Sequence, residues 1–140
     1  MVRISDEEII NILIKNARTP VLQIARMLNV NEGTVRKRIQ KLEKEGVIEG
    51  YTIEVNPKKL GYEVVALIGI DTTPERYLSV IENLREDPIV KRAYSSAGDH
   101  MIMVECWFHN QSELSEYLRD LESREGVTRV CPAILIERIK

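Results

Sequence analysis

The sequence is poor in the residue types on which metal sites and disulfide frameworks depend. Its 140 residues include only two cysteines, two histidines and 5% aromatic residues. Cys106 and Cys131 have neither disulfide-framework nor zinc spacing, and both lie in apolar, strand-like runs, so we interpret them as free, reduced and structural. His100 and His109 have no Cys or second His nearby with which to bind a metal. These absences favour a protein without a metal or other cofactor of its own.

Long apolar runs are also missing. No run approaches the ~18 residues that are needed to span a bilayer, and residues 1–15 alternate acidic and apolar types without the basic start and cleavage site of a signal peptide. We therefore expect no membrane contact and a cytoplasmic location.

Catalytic motifs are absent as well. The chain has no phosphate loop, no metal ladder, and no Ser/His/Asp or Cys/His set in recognisable order. Asp99 and His100 are the one adjacent acid and imidazole, but neighbours along a strand point to opposite sides, which disfavours a catalytic dyad. We predict that the protein is not an enzyme.

Charge of one sign is scarce overall but unevenly distributed. The net charge is only −2, which excludes general electrostatic adhesion to nucleic acid. Residues 1–50 carry nine Lys/Arg and seven Asp/Glu, whereas residues 51–140 carry eleven and fifteen. A basic region on a mildly acidic body indicates one dedicated surface for an anionic partner.

The stretch from Pro20 to Lys44 has the pattern of a helix-turn-helix. Apolar residues repeat at helical spacing over Val21–Leu28, residues 29–31 interrupt the helix, and Asn31 is a suitable N-cap for a second one. In that second helix Val35, Ile39 and Leu42 form one apolar stripe. Thr19 is the expected N-cap of the first of these helices, with Pro20 at its first position.

The side of the second helix opposite its apolar stripe is cationic. Thr34, Lys37, Lys41 and Lys44 lie there, with Arg36 and Arg38 on the flanks. Such a helix suits a DNA major groove, while the alternative is a solvated charged face. The predicted DNA-binding residues are Asn31, Thr34, Arg36, Lys37, Arg38 and Lys41.

Two further elements complete this half of the chain. Ser5 and Glu8 have the spacing of a capping box, which predicts a first helix. Gly46 is expected just beyond the end of the third helix. The β-branched and aromatic pattern from Val47 to Val55 predicts a strand that acts as a wing or connector.

This region resembles the Lrp/AsnC family of regulators. The resemblance rests on the series Val35-x-x-Arg38-Ile39-x-x-Leu42-Glu43-x-x-Gly46-Val47-Ile48-x-Gly50-Tyr51, on Arg18-Thr19-Pro20 before it and on Asn56-Pro57-x-x-x-Leu60-Gly61 after it. It continues through nearly the whole chain. It implies a DNA-binding regulator that forms dimers or larger even-numbered assemblies and responds to amino acids.

The second half has the pattern of a ferredoxin-like βαββαβ fold. Strands are predicted at residues 64–70, 89–94, 101–108 and 127–139. The two helices are expected to bury Tyr77, Leu78, Ile81 and Leu84, and Leu114, Tyr117, Leu118 and Leu121. Asn110 and Glu113 look like a second capping box. Five positions of the first half-unit recur 37 residues later, as two similar halves predict. The strand order 4-1-3-2 would separate Cys106 from Cys131 by the first strand.

The predicted strands are apolar on both faces, although the helices of this fold cover only one. Val65 and Leu67 alternate with Ala66 and Ile68, for example. A second copy of the sheet is the simplest cover for the remaining face, so we expect an isologous dimer. Ile68 or Val104, whichever faces the partner sheet, is expected to lie in the interface.

The turn between the second and third strands is the candidate effector site. The resemblance implies a role for Asp99, which matches the aspartate of the family's turn. Ser95 and Ser96 depart from the family's Ser/Thr-Gly pair, and His100 from its tyrosine or apolar residue. The predicted effector-binding residues are Ser95, Ser96, Gly98, Asp99 and His100. The alternative is that Asp99 only caps a hairpin turn.

Together these patterns predict an α+β chain. We assign a winged-helix-like helix-turn-helix domain to residues 1–46, a strand linker to 47–61, and a ferredoxin-like, ACT-like effector-binding and oligomerisation domain to 62–140. The predicted function is sequence-specific transcription regulation on double-stranded DNA with an amino-acid effector. The alternative is a ligand-binding assembly module that modulates another regulator and has no operator specificity of its own.

Overall fold

Two structural units make up the chain in a computed structural model that describes residues 3–140. The division falls between residues 54 and 55, inside the segment that the sequence assigns to the linker. The first two residues of the predicted domain 1–46 lie outside the described part of the chain.

Three helices form the first unit: α1 (Asp6–Lys15), α2 (Val21–Leu28) and α3 (Glu32–Lys44). Their core contains Ile4, Ile9, Ile24, Ala25 and Val35, each at most 7% exposed. Burying each of the larger side chains contributes about 1.5–3 kcal/mol, which fixes the three helices against one another.

The ends of these helices follow local sequence signals, with one exception. The Ser5–Glu8 capping box is formed, Asn31 caps α3 through the Thr34 N–H, and Gly46 follows α3 with φ +77°. The Thr19 prediction is wrong by one residue, because Pro20 is the N-cap and the Thr19 hydroxyl donates to the Asn16 carbonyl at 2.6 Å instead.

The predicted strand from Val47 to Val55 is not formed. Residues 47–56 pair with no strand of the described chain, and the side chains of Tyr51 and Ile53 are 53% and 75% exposed. The alternating pattern has the composition of a strand, but a strand requires a neighbour for its backbone hydrogen bonds, and none of residues 3–140 supplies one to this segment.

The second unit is a four-stranded antiparallel sheet with two helices. Within this unit a 3₁₀ turn at Pro57–Leu60 precedes the sheet, and another at Pro74–Arg76 precedes the first of its helices. Its elements are β1 (Val64–Thr72), α4 (Tyr77–Glu86), β2 (Val90–Ser95), β3 (Ile102–Phe108), α5 (Gln111–Ser123) and β4 (Val127–Ile134). The sheet order β2-β3-β1-β4 confirms the predicted βαββαβ topology. Cys106 and Cys131 are free thiols on strands that β1 separates.

Both helices pack on one face of this sheet. Their core comprises Ala66, Ile68, Ile70, Ile102, Val104, Cys106 and Phe108 of the strands with Val80, Leu84, Leu114, Tyr117 and Leu121 of the helices. Ile68 and Val104 therefore both face the helices, so neither belongs to an interface on the other side. On α4 the buried residues are Val80 and Leu84, whereas Leu78 is 74% exposed and its assignment to the core is wrong.

We call the opposite side the open face. It carries Val65, Leu67, Gly69 and Asp71 of β1 and their cross-strand neighbours, which are Trp107, Glu105 and Met103 on β3 and Ala133, Cys131 and Arg129 on β4. Leu67, Met103 and Trp107 are only half-buried. No helix of residues 55–140 contributes to this face.

Two other predicted features are shorter or different in the structure. β4 ends at Ile134 rather than Ile139, after which only the Leu135 N–H still bonds to β1, at the Val65 carbonyl. Asn110 caps α5 as expected, but the Glu113 carboxylate accepts from the His109 N–H and not from Asn110.

Candidate functional site

The outer side of α3 displays its cations unequally. Lys37 is exposed and forms no ion pair with any residue of 3–140. Arg36 pairs with Glu32 one turn earlier, and Lys41 lies 3.9 Å from Glu45. Because such exposed pairs are weak, Arg36 and Lys41 remain available to another anion.

Arg38 is held more firmly than the other cations of α3. Its Nη1 lies 2.8 Å from Oδ1 of Asp6, which joins α3 to α1. The contact links residues 32 positions apart, a separation that no local sequence pattern reports. Any phosphate contact by Arg38 has to share its guanidinium with Asp6.

The two polar residues at the start of α3 are engaged with each other. Oδ1 of Asn31 accepts hydrogen bonds from the Thr34 N–H at 2.8 Å and from the Thr34 hydroxyl at 3.0 Å. The cap leaves the amide NH₂ group of Asn31 as its free donor. Lys37 is thus the least constrained of the predicted DNA-binding residues, and Asn31 and Thr34 are fixed in place beside the helix N-terminus.

The turn at residues 95–100 is closed by Ser96. Its N–H donates to the Met101 carbonyl at 2.9 Å, and its hydroxyl donates to the His100 carbonyl at 2.6 Å. Gly98 has φ +132°, a conformation that other residues rarely adopt. These bonds give the turn a defined shape without a ligand.

The structure does not bring all five predicted effector residues together. Ser95 lies opposite the buried Ile102 on the helix-covered side of the sheet, where its Oγ is 2.6 Å from the Tyr77 hydroxyl oxygen. Asp99 and His100 lie instead at the end of the open face, where Nε2 of His100 is 3.4 Å from Oδ2 of Asp99. Ser95 is therefore separated from the charged part of the candidate site.

His100 is packed against β1. Its ring lies over Gly69 so closely that a β-carbon there would be 2.3 Å from a ring atom, which explains the glycine. Nδ1 of His100 is 3.1 Å from Oδ2 of Asp71, and both side chains are largely buried. The imidazole therefore forms a wall of the turn.

Asp71 and Arg129 also lie at this end of the open face, although no local sequence pattern singles them out. Oδ1 of Asp71 accepts from the Met101 N–H at 3.0 Å, and Oδ2 is 3.3 Å from Nε of Arg129. Nη2 of Arg129 reaches Oδ2 of Asp99 at 2.9 Å. The two residues meet because the register of β1 and β4 places Asp71 opposite Arg129, and the sequence pattern does not contain this register.

These contacts shift two pKa values. Burial alone would raise the pKa of Asp71, but hydrogen bonds from His100 and from the Met101 N–H, with the charge of Arg129, hold it below its usual value. The hydrogen bond to Asp99 raises the pKa of Arg129. The Asp71 carboxylate and the Arg129 guanidinium are therefore ionised near neutral pH. Among residues 3–140 no group of three or more metal-ligating side chains is assembled.

Comparison with known proteins identifies the family. Residues 3–49 match a winged helix-turn-helix DNA-binding model, and residues 65–140 match the model of the Lrp/AsnC ligand binding domain. The second match alone spans more than half of the chain. The chain belongs to the Lrp/AsnC family.

Relatives along the full length are transcriptional regulators. The Lrp/AsnC chain is 48% identical to LrpA of Pyrococcus abyssi over 141 residues, a match that covers 100% of each protein. It is 38% identical to LrpA1 of Halobacterium salinarum, covering 97% of this chain and 96% of that one. Both relatives are described as HTH-type transcriptional regulators. This chain is accordingly a DNA-binding transcription regulator, and its family is not one of enzymes.

Solved structures confirm the fold. AsnC of E. coli matches 99% of this chain and 95% of its own with a TM-score of 0.81 at 27% identity. A transcriptional regulator from Neisseria meningitidis, solved as an L-Met complex, has a TM-score of 0.87 at 18% identity and covers 100% and 93% of the two chains. The predicted family and fold class are thus correct. Within residues 3–140, no helix is both long and apolar enough to cross a bilayer.

Proposed function

We propose that this Lrp/AsnC regulator acts as a homodimer or a larger even-numbered assembly, and that an amino acid bound at the turn of residues 96–100 controls it. The observation that carries the proposal is the position of an exposed carboxylate, Asp99, at the end of a half-buried apolar sheet face. One site there would serve ligand binding and assembly together.

The DNA side of the proposal rests on α3. Lys37 and Lys41 would neutralise phosphates or reach base edges, Arg36 would assist, and Arg38 would contribute in competition with Asp6. Thr34 and Asn31 lie at the helix start, the part of a recognition helix that contacts base edges and backbone. A regulator that binds DNA has to share a compartment with the DNA, and we infer that this compartment is the cytoplasm.

Assembly would use the open face. Met103 on β3 lies opposite Gly69 and diagonal to Leu67, whose direct partner is Glu105, and Trp107 lies at one end of this patch. Leu67, Met103 and Trp107 remain partly exposed in the isolated chain, so covering them with the same face of a second copy removes apolar surface from water. A two-fold pair also presents two α3 helices to two half-sites.

An amino acid suits the turn chemically. It presents an ammonium and a carboxylate on one carbon, and the turn offers the Asp99 carboxylate, backbone N–H groups around Gly98, the Ser96 hydroxyl and the His100 imidazole. The Neisseria meningitidis neighbour is described as a complex with L-Met, which supports this ligand class. A single turn cannot enclose a ligand, so a second subunit would complete the site.

A gel shift on the protein's own promoter, repeated with each of the twenty amino acids, tests the proposal. We expect one retarded species of defined salt dependence, and a change in affinity or stoichiometry with one or a few amino acids. No preference for the promoter over unrelated DNA would favour the alternative, an assembly module without operator specificity. No response to any amino acid would contradict the effector assignment.

A further inference from the structure

Four charged or ionisable side chains form a chain of contacts at one end of the open face. Arg129 lies at its centre, with Nε 3.3 Å from Oδ2 of Asp71 and Nη2 2.9 Å from Oδ2 of Asp99. His100 touches both carboxylates, at 3.1 Å to Asp71 and 3.4 Å to Asp99. The guanidinium therefore bridges an inner and an outer carboxylate.

The inner and outer halves of this network differ in exposure. The side chains of Asp71 and His100 are 16% and 14% exposed, whereas those of Arg129 and Asp99 are 48% and 79% exposed. Asp71 is also fixed by the Met101 N–H and packed beside the ring that covers Gly69. Asp71 and His100 thus form a rigid support. The ion pair between Arg129 and Asp99 is open to solvent, so breaking it for another partner costs little free energy.

We propose that Arg129 binds the α-carboxylate of the effector while Asp99 binds its α-ammonium, and that Asp71 is a positioning residue for Arg129. The inference rests on the proposed amino-acid effector and extends its site to two residues on β1 and β4. The ligand class it names is the free α-amino acid as a zwitterion, in preference to amines, amides or simple carboxylic acids.

The charges balance through an exchange of partners. Without ligand, Arg129 and Asp99 neutralise each other across 2.9 Å. A zwitterion that enters between them offers each its opposite charge, so no unpaired charge results on either side. Arg129 suits this role because its planar guanidinium can bind a carboxylate through two N–H groups while Nε keeps its contact with Asp71.

A purely structural role for Arg129 makes a different prediction. In that case the residue only ties β4 to the turn, and its loss would weaken all ligands alike by loosening the site. Carboxylate recognition instead predicts that the loss of Arg129 affects ligands that carry the carboxylate and spares those that lack it. The comparison of an amino acid with its own primary amide separates the two roles.

The experiment uses the full chain. Thermal-shift measurements with the twenty L-amino acids identify those that bind, and calorimetry then compares each binder with its primary amide. We expect the wild-type protein to prefer the acid by about tenfold or more, the usual scale of one charge-assisted pair. If the amide binds the wild-type protein as tightly as the acid does, the assignment of Arg129 to the α-carboxylate is overturned.

Three variants and a control complete the test. Arg129→Gln should weaken the acid about tenfold and leave amide affinity unchanged. Arg129→Lys should restore part of the preference for the acid over the amide. Asp71→Asn should lower the wild-type preference for the acid without altering amide binding. Arg119→Gln, on the exposed side of α5, is the control and should change neither affinity.

The outcomes distinguish this inference from the proposed function on which it rests. If the wild-type chain binds no amino acid, the effector proposal fails and the assignment of Arg129 fails with it. If an amino acid binds but Arg129→Gln keeps the wild-type ratio of acid to amide affinity, or weakens both equally, only the role of Arg129 is overturned.

Discussion

The two faces of the sheet differ in what determines them. On the helix-covered face, Ile68 and Val104 are fully buried by helices of the same chain, so folding alone completes that side. On the open face, Leu67 and Met103 remain half-buried, and a charged network lies at one end. The comparison indicates that one face holds the unit together while the other is available for partners and ligands.

A pair of adjacent substitutions gives the largest expected effect. Ile68→Asp places an unpaired charge among α4, α5 and the sheet, which should cost at least about 4 kcal/mol and unfold the second unit. Leu67→Asp, one residue away, should leave it folded. Circular dichroism of both variants measures this, and equal loss of structure would abolish the distinction between the faces.

The same Leu67→Asp variant sharpens the assignment of the open face. A charge at the centre of a sheet-to-sheet interface should dissociate the assembly into folded monomers, because the carboxylate would have no partner there. Sedimentation of wild type and variant measures the change, with Leu78→Asp on the exposed side of α4 as the control. Intact dimers of Leu67→Asp would show that the open faces do not pair.

A carboxylate on the helix-covered side should contribute to stability alone. Asp87, 8% exposed at the side chain, accepts from the Tyr117 hydroxyl at 2.7 Å and pairs with Arg124 at 2.9 Å. Asp87→Asn should lower the free energy of unfolding by about 2 kcal/mol at pH 7. It should leave amino-acid binding unchanged, whereas Asp71→Asn should alter binding.

The pH dependence of that effect has a definite sign. Burial alone would raise the pKa of Asp87, but bonds from Tyr117, the Ile89 N–H and Arg124 hold it below its usual value. Its contribution is fully present above the ordinary carboxyl pKa of about 4 and is lost as pH falls through the lower folded-state value. Denaturant titrations should therefore show wild type and Asp87→Asn converging in acid, and a constant difference would contradict this account.

In the first unit, helix α3 likewise has one packed side and one side that is open to a partner. Val35 and Leu42 of α3 are packed, while Lys37 and Lys41 face outward. Replacing both lysines by alanine should reduce the salt slope of DNA binding by about 2, since each phosphate contact contributes about 0.9. Filter binding over a range of salt concentrations measures it, with Arg119→Ala as the control. An unchanged slope would remove α3 from the DNA interface.

The two cysteines report on the faces with the least perturbation. Cys106 is buried on the helix side, and burial, with the nearby Asp87 charge, raises the pKa of its thiol to about 12. Cys131 is half-buried on the open face. A thiol reagent at pH 8 should modify Cys131 first, faster in Leu67→Asp than in wild type, and Cys106 only after unfolding. Faster reaction of Cys106 would reverse the faces.

Helix ends that depend on neighbouring residues were predicted better than features that depend on tertiary contacts. Asn31, Gly46 and the Ser5 capping box act within one turn of helix, so their spacing sufficed. The strand at residues 47–55 failed because strand formation depends on a neighbour that the pattern cannot reveal. Thr19 failed by a single position, which is the usual uncertainty at a helix end.

The candidate site was predictable only in part. Asp99 and His100 follow from the turn and the family resemblance, but Ser95 was grouped with them although the strand directs it to the other face. Asp71 and Arg129 are 58 residues apart in the chain. Only the antiparallel register of β1 and β4 brings them together, and alternation alone did not say whether Ile68 or Leu67 faced the helices.

The central claim is that an amino acid bound beside Asp99 controls DNA binding. The most direct test is to titrate operator DNA with wild type and with Asp99→Ala, each in the presence and absence of the most stabilising amino acid. Because an effector acts only by binding two states unequally, the amino acid should shift the wild-type DNA affinity or stoichiometry. It should leave Asp99→Ala, folded and still able to bind DNA, without response. An undiminished response in Asp99→Ala would place the effector site elsewhere and contradict the account.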